Sequence, residues 1–305
     1  MAFMIEIIEN IQKWKIERDA VILAHYYVDS EIQKIADYVG DSYYLSKMAS
    51  QVPQQTIILC GVLFMGESAK ILNPEKTIIM PDLSADCPMA HMIAAPEILR
   101  MREKYDDLAV VCYINSTAEI KALSDVIVTS SNAFSIVRQL PQKNIFFVPD
   151  RNLGHYISTL LPEKNFILNE GFCPVHDRMS TADISKMKMQ HPEAKIIAHP
   201  ECIPEVLEMA DYVGSTTGLI DYAAESDAAA FIVCTEEGVA YQLEKNSPDK
   251  QFFFPEPVPI CPNMKRITLE KILHVLKTMD NQVQLDEDIR LKAEHALKRM
   301  HEIAK

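Results

Sequence analysis

Along the chain, short runs of β-branched and other apolar residues alternate with longer stretches in which apolar residues recur at helical spacing. The runs are "AVILAHYY" (20–27), "DYVG" (37–40), "TIILCG" (56–61) and "KTIIMPD" (76–82). They continue as "LAVVCYIN" (108–115), "DVIVTS" (125–130), "NIFFVPD" (144–150) and "NFILNE" (165–170). The last four are "AKIIAHPE" (194–201), "DYVGST" (211–216), "AAFIVCTE" (229–236) and "QFFFPEP" (251–257). Their length and branching predict strands, whereas intervening segments such as "SEIQKIA" and "FMGESAKIL" read as helices. Strands that are apolar nearly throughout predict parallel sheets covered by helices on both faces.

The pattern repeats. "IADYVGDS" (35–42) returns as "MADYVGST" (209–216), displaced by 174 positions, and a third copy lies between them in "VVCYINSTAEIKALSDVIVTSS" (110–131). Shifts of 88 and then 86 place His25, Tyr113 and His199 in one column, Tyr27, Asn115 and Glu201 in a second, and Ser42, Ser130 and Thr216 in a third. Asp37, Asp125 and Asp211 form a scaffold column under the same shifts. An internal period of this kind marks repeated structural units. The expected fold is α/β: three αβα sandwich domains with parallel sheets, related by pseudo-threefold symmetry around a central site. Their expected limits are 1–86, 87–172 and 173–267, with the helices of 268–305 folding back onto the first.

Ligands gather at the carboxyl ends of parallel strands, where the first three columns fall. A lone Ser or Thr at a helix start is ordinarily an N-cap. Three in register point instead to helix starts that converge on an anion. A lone histidine is likewise more often structural, but not in a shared column at strand ends. His91, His155, His176, His191 and His274 have no column partner and read as structural or exposed.

Composition narrows the functional classes. A net charge of -13 without a Lys/Arg-rich stretch argues against nucleic acid as a partner. The amphipathic start, "MAFMIEIIENIQKWKIERD", lacks the features of a secretory signal, and no apolar run approaches the roughly 18 residues of a membrane span. A cytoplasmic protein is expected, and seven cysteines in such a chain argue against a disulfide framework.

Three of the seven cysteines precede proline, Cys87, Cys173 and Cys261, at spacings of 86 and 88 that match the repeat. Each follows the last strand of its unit, so three thiols from three domains are expected to converge. No C-x-x-C pair occurs, which weakens structural zinc. An iron-sulfur cubane accepts distant cysteines, and one held by three thiolates keeps an open iron for substrate. Cys60, Cys112 and Cys234 lie within apolar strands and Cys202 starts a helix, so all four read as core residues. A redox-sensing regulator would need a DNA-binding segment that is missing here. A plain dicarboxylate-binding module would leave the registered thiols unexplained.

Over essentially its whole length the chain resembles the quinolinate synthase family. The resemblance rests on "AHYY", "GDSYYLS", "CGVLFMGESAKILNP", "CPMA", "VCYINS", "TSSNA", "LPEKNFILNEGFCPVH", "AHPEC", "GSTTG" and "CPNMKRITLEKIL". It implies three αβα domains and a 4Fe-4S cluster on Cys87, Cys173 and Cys261. The implied transferase reaction condenses iminoaspartate with dihydroxyacetone phosphate to form quinolinate for NAD biosynthesis, with iminoaspartate handed over by L-aspartate oxidase. His25, Ser42, Tyr113, Ile114, Asn115, Ser130, His199, Pro200, Glu201 and Thr216 are implied to bind the iminoaspartate-derived part or to lie in its binding segments. Glu201 is then the natural base, with Tyr27, His25 and His199 as proton carriers. The chain departs from the family at Asp86, before Cys87, where glycine is expected.

Overall fold

A computed structural model describes residues 2–304. All twelve predicted strands form. The first sheet contains β1 (Ala20–His25), β2 (Tyr38–Gly40), β3 (Thr56–Cys60) and β4 (Thr77–Ile79). The second contains β5 (Leu108–Tyr113), β6 (Val126–Val128), β7 (Asn144–Val148) and β8 (Asn165–Leu168). The third contains β9 (Lys195–Ala198), β10 (Tyr212–Val213), β11 (Ala230–Cys234) and β12 (Gln251–Phe253). In spatial order they run β2-β1-β3-β4, β6-β5-β7-β8 and β10-β9-β11-β12, so one topology occurs three times. Every pairing within these sheets is parallel. Two central strands per sheet are covered on both faces, which accounts for apolar runs without alternation.

The scaffold column does the same job in each unit. Asp37 accepts the backbone N–H of Ile22 at 2.8 Å, Asp125 that of Val110 at 2.7 Å and Asp211 that of Ile196 at 2.8 Å. The same three aspartates return their own N–H groups to the carbonyls of Ile22, Val110 and Ile196. A carboxylate at this point thus ties the turn before the second strand to the first strand.

The first two units share one continuous apolar core, whereas the third has two separate clusters on the two faces of its sheet. The helix Leu269–Thr278 lies along the N-terminal helix Ala2–Glu17, where Arg18 donates to the carbonyls of Leu276 and Lys277. The last helix, Glu287–Ile303, extends beyond the first unit, on which the sequence places it. Arg290 donates to Ile71 O of the first unit and Arg299 to Asp125 O of the second. Its buried face is small, with Ala293 and Ala296 beside Leu297 and Met300, which lets it sit close over the groove between the two.

Candidate active site

The carboxyl ends of the first strands meet around one cavity of about 140 Å³, roughly ten times the space one water needs. His25 and Tyr113 are the last residues of β1 and β5, and His199 follows β9 directly. All three line the cavity, as do Tyr27, Asn115 and Glu201 of the second column and Ser42, Ser130 and Thr216 of the third. Ile114 and Pro200 lie behind the wall. Ile114 is buried and gives its N–H to Val128 O, so its segment reaches the cavity but its side chain does not.

The hydroxyl column is not a set of helix caps. Asp41 caps the helix that opens at Ser42, and Ser215 caps the helix that opens at Thr216. In the second unit Asn132 is the cap residue, two positions after Ser130. In the first and third units a neighbour's side chain does the capping, which leaves the Ser42 and Thr216 hydroxyls free of that task at the cavity wall.

Cys87, Cys173 and Cys261 all line the same cavity; Cys87 and Cys173 stand at the start of a short helical turn, and Cys261 lies three residues before one. Burial pushes the Cys87 thiol up to about 12, with the Glu201 charge adding to it, and also raises Cys173 and Cys261. Thiols in this state hold their protons until a metal displaces them. Cys173, His176 and Glu201 further present ligand atoms within 4.8 Å of one another. Soft sulfur donors from three units around one cavity suit an iron-sulfur group. Asp86 folds back on its own turn: one carboxylate oxygen accepts the Cys87 N–H at 2.8 Å and the other pairs with His91 at 2.6 Å. The side chain where glycine is expected therefore braces the cysteine rather than blocking it. The other four cysteines are wholly buried in strands or turns, as the sequence indicates.

His176 corrects the sequence reading, which leaves it structural or exposed. It is buried in the cavity wall, and its Nδ1 lies 2.7 Å from the Glu201 carboxylate and 3.2 Å from the Cys173 sulfur. Its Nε2 lies 2.9 Å from the Thr235 hydroxyl, which is 2.8 Å from the Tyr27 hydroxyl, itself 2.8 Å from that of Thr216. One hydrogen-bonded line thus joins Glu201 to Tyr27. The available signal was position: His176 follows Cys173 by three residues in "CPVH", close to one helical turn.

Electrostatics divides these groups into acids, bases and neutral donors. Burial lowers His25 to about 4 and His199 to about 3, so both are neutral near pH 7. Each accepts a backbone N–H at Nδ1, from Tyr27 and Glu201 respectively, which leaves the proton on Nε2. Burial alone would raise Glu201, but His199, His176 and the Tyr113 phenol outweigh it and hold the carboxyl at about 2. Tyr27 and Tyr113 rise well above the usual phenol range, through burial and then the Glu201 charge, and stay protonated. Among the buried acceptors without a partner in the described residues are Glu201 Oε1 and Asn115 Oδ1. Both line the cavity, where an arriving N–H or O–H donor would satisfy them.

A cavity with an ionised carboxylate, neutral imidazoles, phenols and three thiols, built at the strand ends of repeated α/β units, defines a small-molecule enzyme. No helix among the described residues is long and apolar enough to cross a membrane. The chain belongs to the Quinolinate synthetase A protein family, whose model matches residues 9–302. It is 51% identical to a quinolinate synthase of Fusobacterium nucleatum over 296 residues, which cover 97% of this chain and 99% of that one. A quinolinate synthase of Clostridium perfringens is 49% identical over 298 residues, covering 98% and 99%. One from Caldicellulosiruptor bescii is 48% identical over 300 residues, with the same coverage.

Proposed function

We propose that this chain is a cytoplasmic quinolinate synthase that condenses iminoaspartate with dihydroxyacetone phosphate, releasing phosphate and water, in NAD biosynthesis. The observation that carries the reading is that one Cys-Pro thiol from each repeat and all three polar columns line a single cavity. Iminoaspartate is the product class of an aspartate-oxidising enzyme, so L-aspartate oxidase is the natural supplier. The repeats divide at 86/87 and 172/173, with the third ending at 267.

Cys87, Cys173 and Cys261 would hold the 4Fe-4S cluster. When bound, it supplies an open iron that polarises a hydroxyl or carboxylate oxygen as a Lewis acid.

The chain's own residues bind the substrate and move its protons. Ser42, Ser130 and Thr216 offer hydroxyls to the carboxylates of iminoaspartate, and the free Asn115 Oδ1 accepts an N–H or O–H from it. Glu201 is ionised and has one unshared oxygen, so it takes the proton in the enolisation and dehydration steps. Tyr27, protonated and linked to Thr216 and Thr235, donates a proton rather than accepting one. His25 and His199 present Nε2–H groups as neutral donors to developing negative charge. Tyr113 steadies Glu201.

Anaerobic reconstitution with iron and sulfide, followed by an assay for quinolinate from the two substrates, tests the reading. Product formation is expected; an intact cluster without product would refute it.

A further inference from the structure

At the seam between the first and third repeats lies a polar group that none of the chemistry above uses. Lys265 follows Cys261 by four residues, and its side chain is only 17% accessible. Its ammonium crosses the seam and donates to the backbone carbonyl of Tyr27 at 3.1 Å. It also pairs with Glu236 at 3.3 Å, Glu237 at 3.1 Å and Asp29 at 3.3 Å. The buried Glu236 carboxylate accepts the Cys261 N–H at 3.0 Å through one oxygen and the Gly238 N–H at 2.7 Å through the other. One cation therefore links the peptide of Tyr27 to the peptide of Cys261 through a single carboxylate.

We propose that Lys265 is a positioning residue that sets Tyr27 against the Cys261 turn across the repeat seam, so that phenol and thiol keep one fixed separation. Two independent features support it. Tyr27 belongs to the first repeat, yet the third holds it at both ends: Lys265 at the carbonyl, Thr216 and Thr235 at the hydroxyl. The seam beside it also has no slack, since a Cβ on Gly238 would stand 2.8 Å from the Tyr27 backbone. Gln33 closes the same seam by donating to Gly238 O at 2.9 Å. A compact ammonium with three divergent donors can serve the carbonyl and the carboxylates together. An apolar side chain of equal length would leave Glu236 buried without its counter-charge.

The inference rests on the quinolinate synthase reading for its effect on turnover, and its effect on the seam can be measured without that reading. The variants are Lys265→Met, Lys265→Arg and, as a control for general loss of stability, Arg102→Met, whose side chain serves Asp125 and Leu123 in the second repeat. Iron content, kcat, KM and hydrogen exchange at the Val28 and Cys261 amides are recorded for each. Lys265→Met is expected to keep its iron and a KM within about threefold, and to lose about 10²-fold in kcat, the scale of a 1 Å misplacement. Exchange at both amides should rise together by about tenfold. Lys265→Arg, which keeps the charge but not the compact ammonium, should recover part of both losses, and Arg102→Met should change neither. Unaltered exchange or unaltered kcat in Lys265→Met overturns the proposal, as does an equal loss in Arg102→Met. If Lys265→Met does not fold, Glu236→Gln keeps an acceptor for Cys261 and removes the charge; unchanged exchange at Val28 would then overturn it. If wild type with an intact cluster makes no quinolinate, the functional reading fails while the exchange comparison still decides the seam.

Discussion

The imidazole of His176 and the carboxylate of Glu201 stand 2.7 Å apart in a wall where both side chains are almost fully buried. A carboxylate accepts only, so His176 donates from Nδ1, and this places its Nε2 at 2.9 Å from the Thr235 hydroxyl. The pair thereby orients the whole line from Glu201 to Tyr27. It also occupies one oxygen of Glu201 and leaves the other for substrate.

Glu201→Gln should fold, retain iron and bind substrate within about tenfold of wild type, yet lose at least about 10²-fold in kcat. Because Glu201 is held at about 2, the acidic limb of a kcat/KM profile above pH 5 should belong to another group and persist in the variant. Single-turnover rates and a pH profile check both points.

The column of Tyr27, Asn115 and Glu201 should separate chemistry from binding. Tyr27→Phe removes a donor and leaves two threonine hydroxyls short of a partner, at a cost of about 1–2 kcal/mol. Its kcat should fall about 10²-fold with cluster content unchanged. Asn115→Ala cannot remove a proton carrier, so its loss should fall mainly on KM. Thermal melts, iron counts and steady-state kinetics distinguish the two.

Cys87→Ser, Cys173→Ser and Cys261→Ser should each lose the cluster, since each removes one of the three thiols that line the cavity. Cys60→Ser, Cys112→Ser, Cys202→Ser and Cys234→Ser should keep it. Iron and sulfide counts on anaerobically purified protein decide the matter, and an intact cluster in any of the first three would displace that residue from the ligand set.

The cluster-free chain should lose stability in mild acid. Burial holds His25 at about 4 in the folded state against 6.5 for an unperturbed histidine. The unfolded chain therefore binds the proton first, and folding stability falls as pH drops from about 6.5 through 4. The shift corresponds to a few kcal/mol, about 1.4 for each pH unit. His199 acts in the same direction over the window from about 6.5 down to about 3, and Glu201 only below about 4.5, being held at about 2. Urea unfolding at pH 7.5, 6 and 5 should give a falling series that His25→Asn makes shallower, His199 supplying the remaining slope.

All twelve strands were legible because their burial is a local matter: a run that will be covered on both faces must be apolar throughout, whatever covers it. The columns were legible because one strand-end geometry is used three times, so Asp37, Asp125 and Asp211 had to recur and His25, Tyr113 and His199 recurred with them. The cysteine triplet carried the same period. His176 was different. It serves one repeat only, and its hydroxyl partner Thr235 is 59 residues away, so no period or local spacing pairs them. The caps were hidden for a related reason, since Ser42 and Asp41 or Thr216 and Ser215 are adjacent and only backbone geometry decides which one turns inward. Lys265 reads as an ordinary charged residue until folding lays the third repeat against Tyr27. What each repeat is can be read along the chain, because strand burial, turn bracing and strand-end chemistry act within a few dozen residues. How the repeats complete one another emerges on folding, because a contact across a seam depends on two surfaces whose meeting neither one encodes alone.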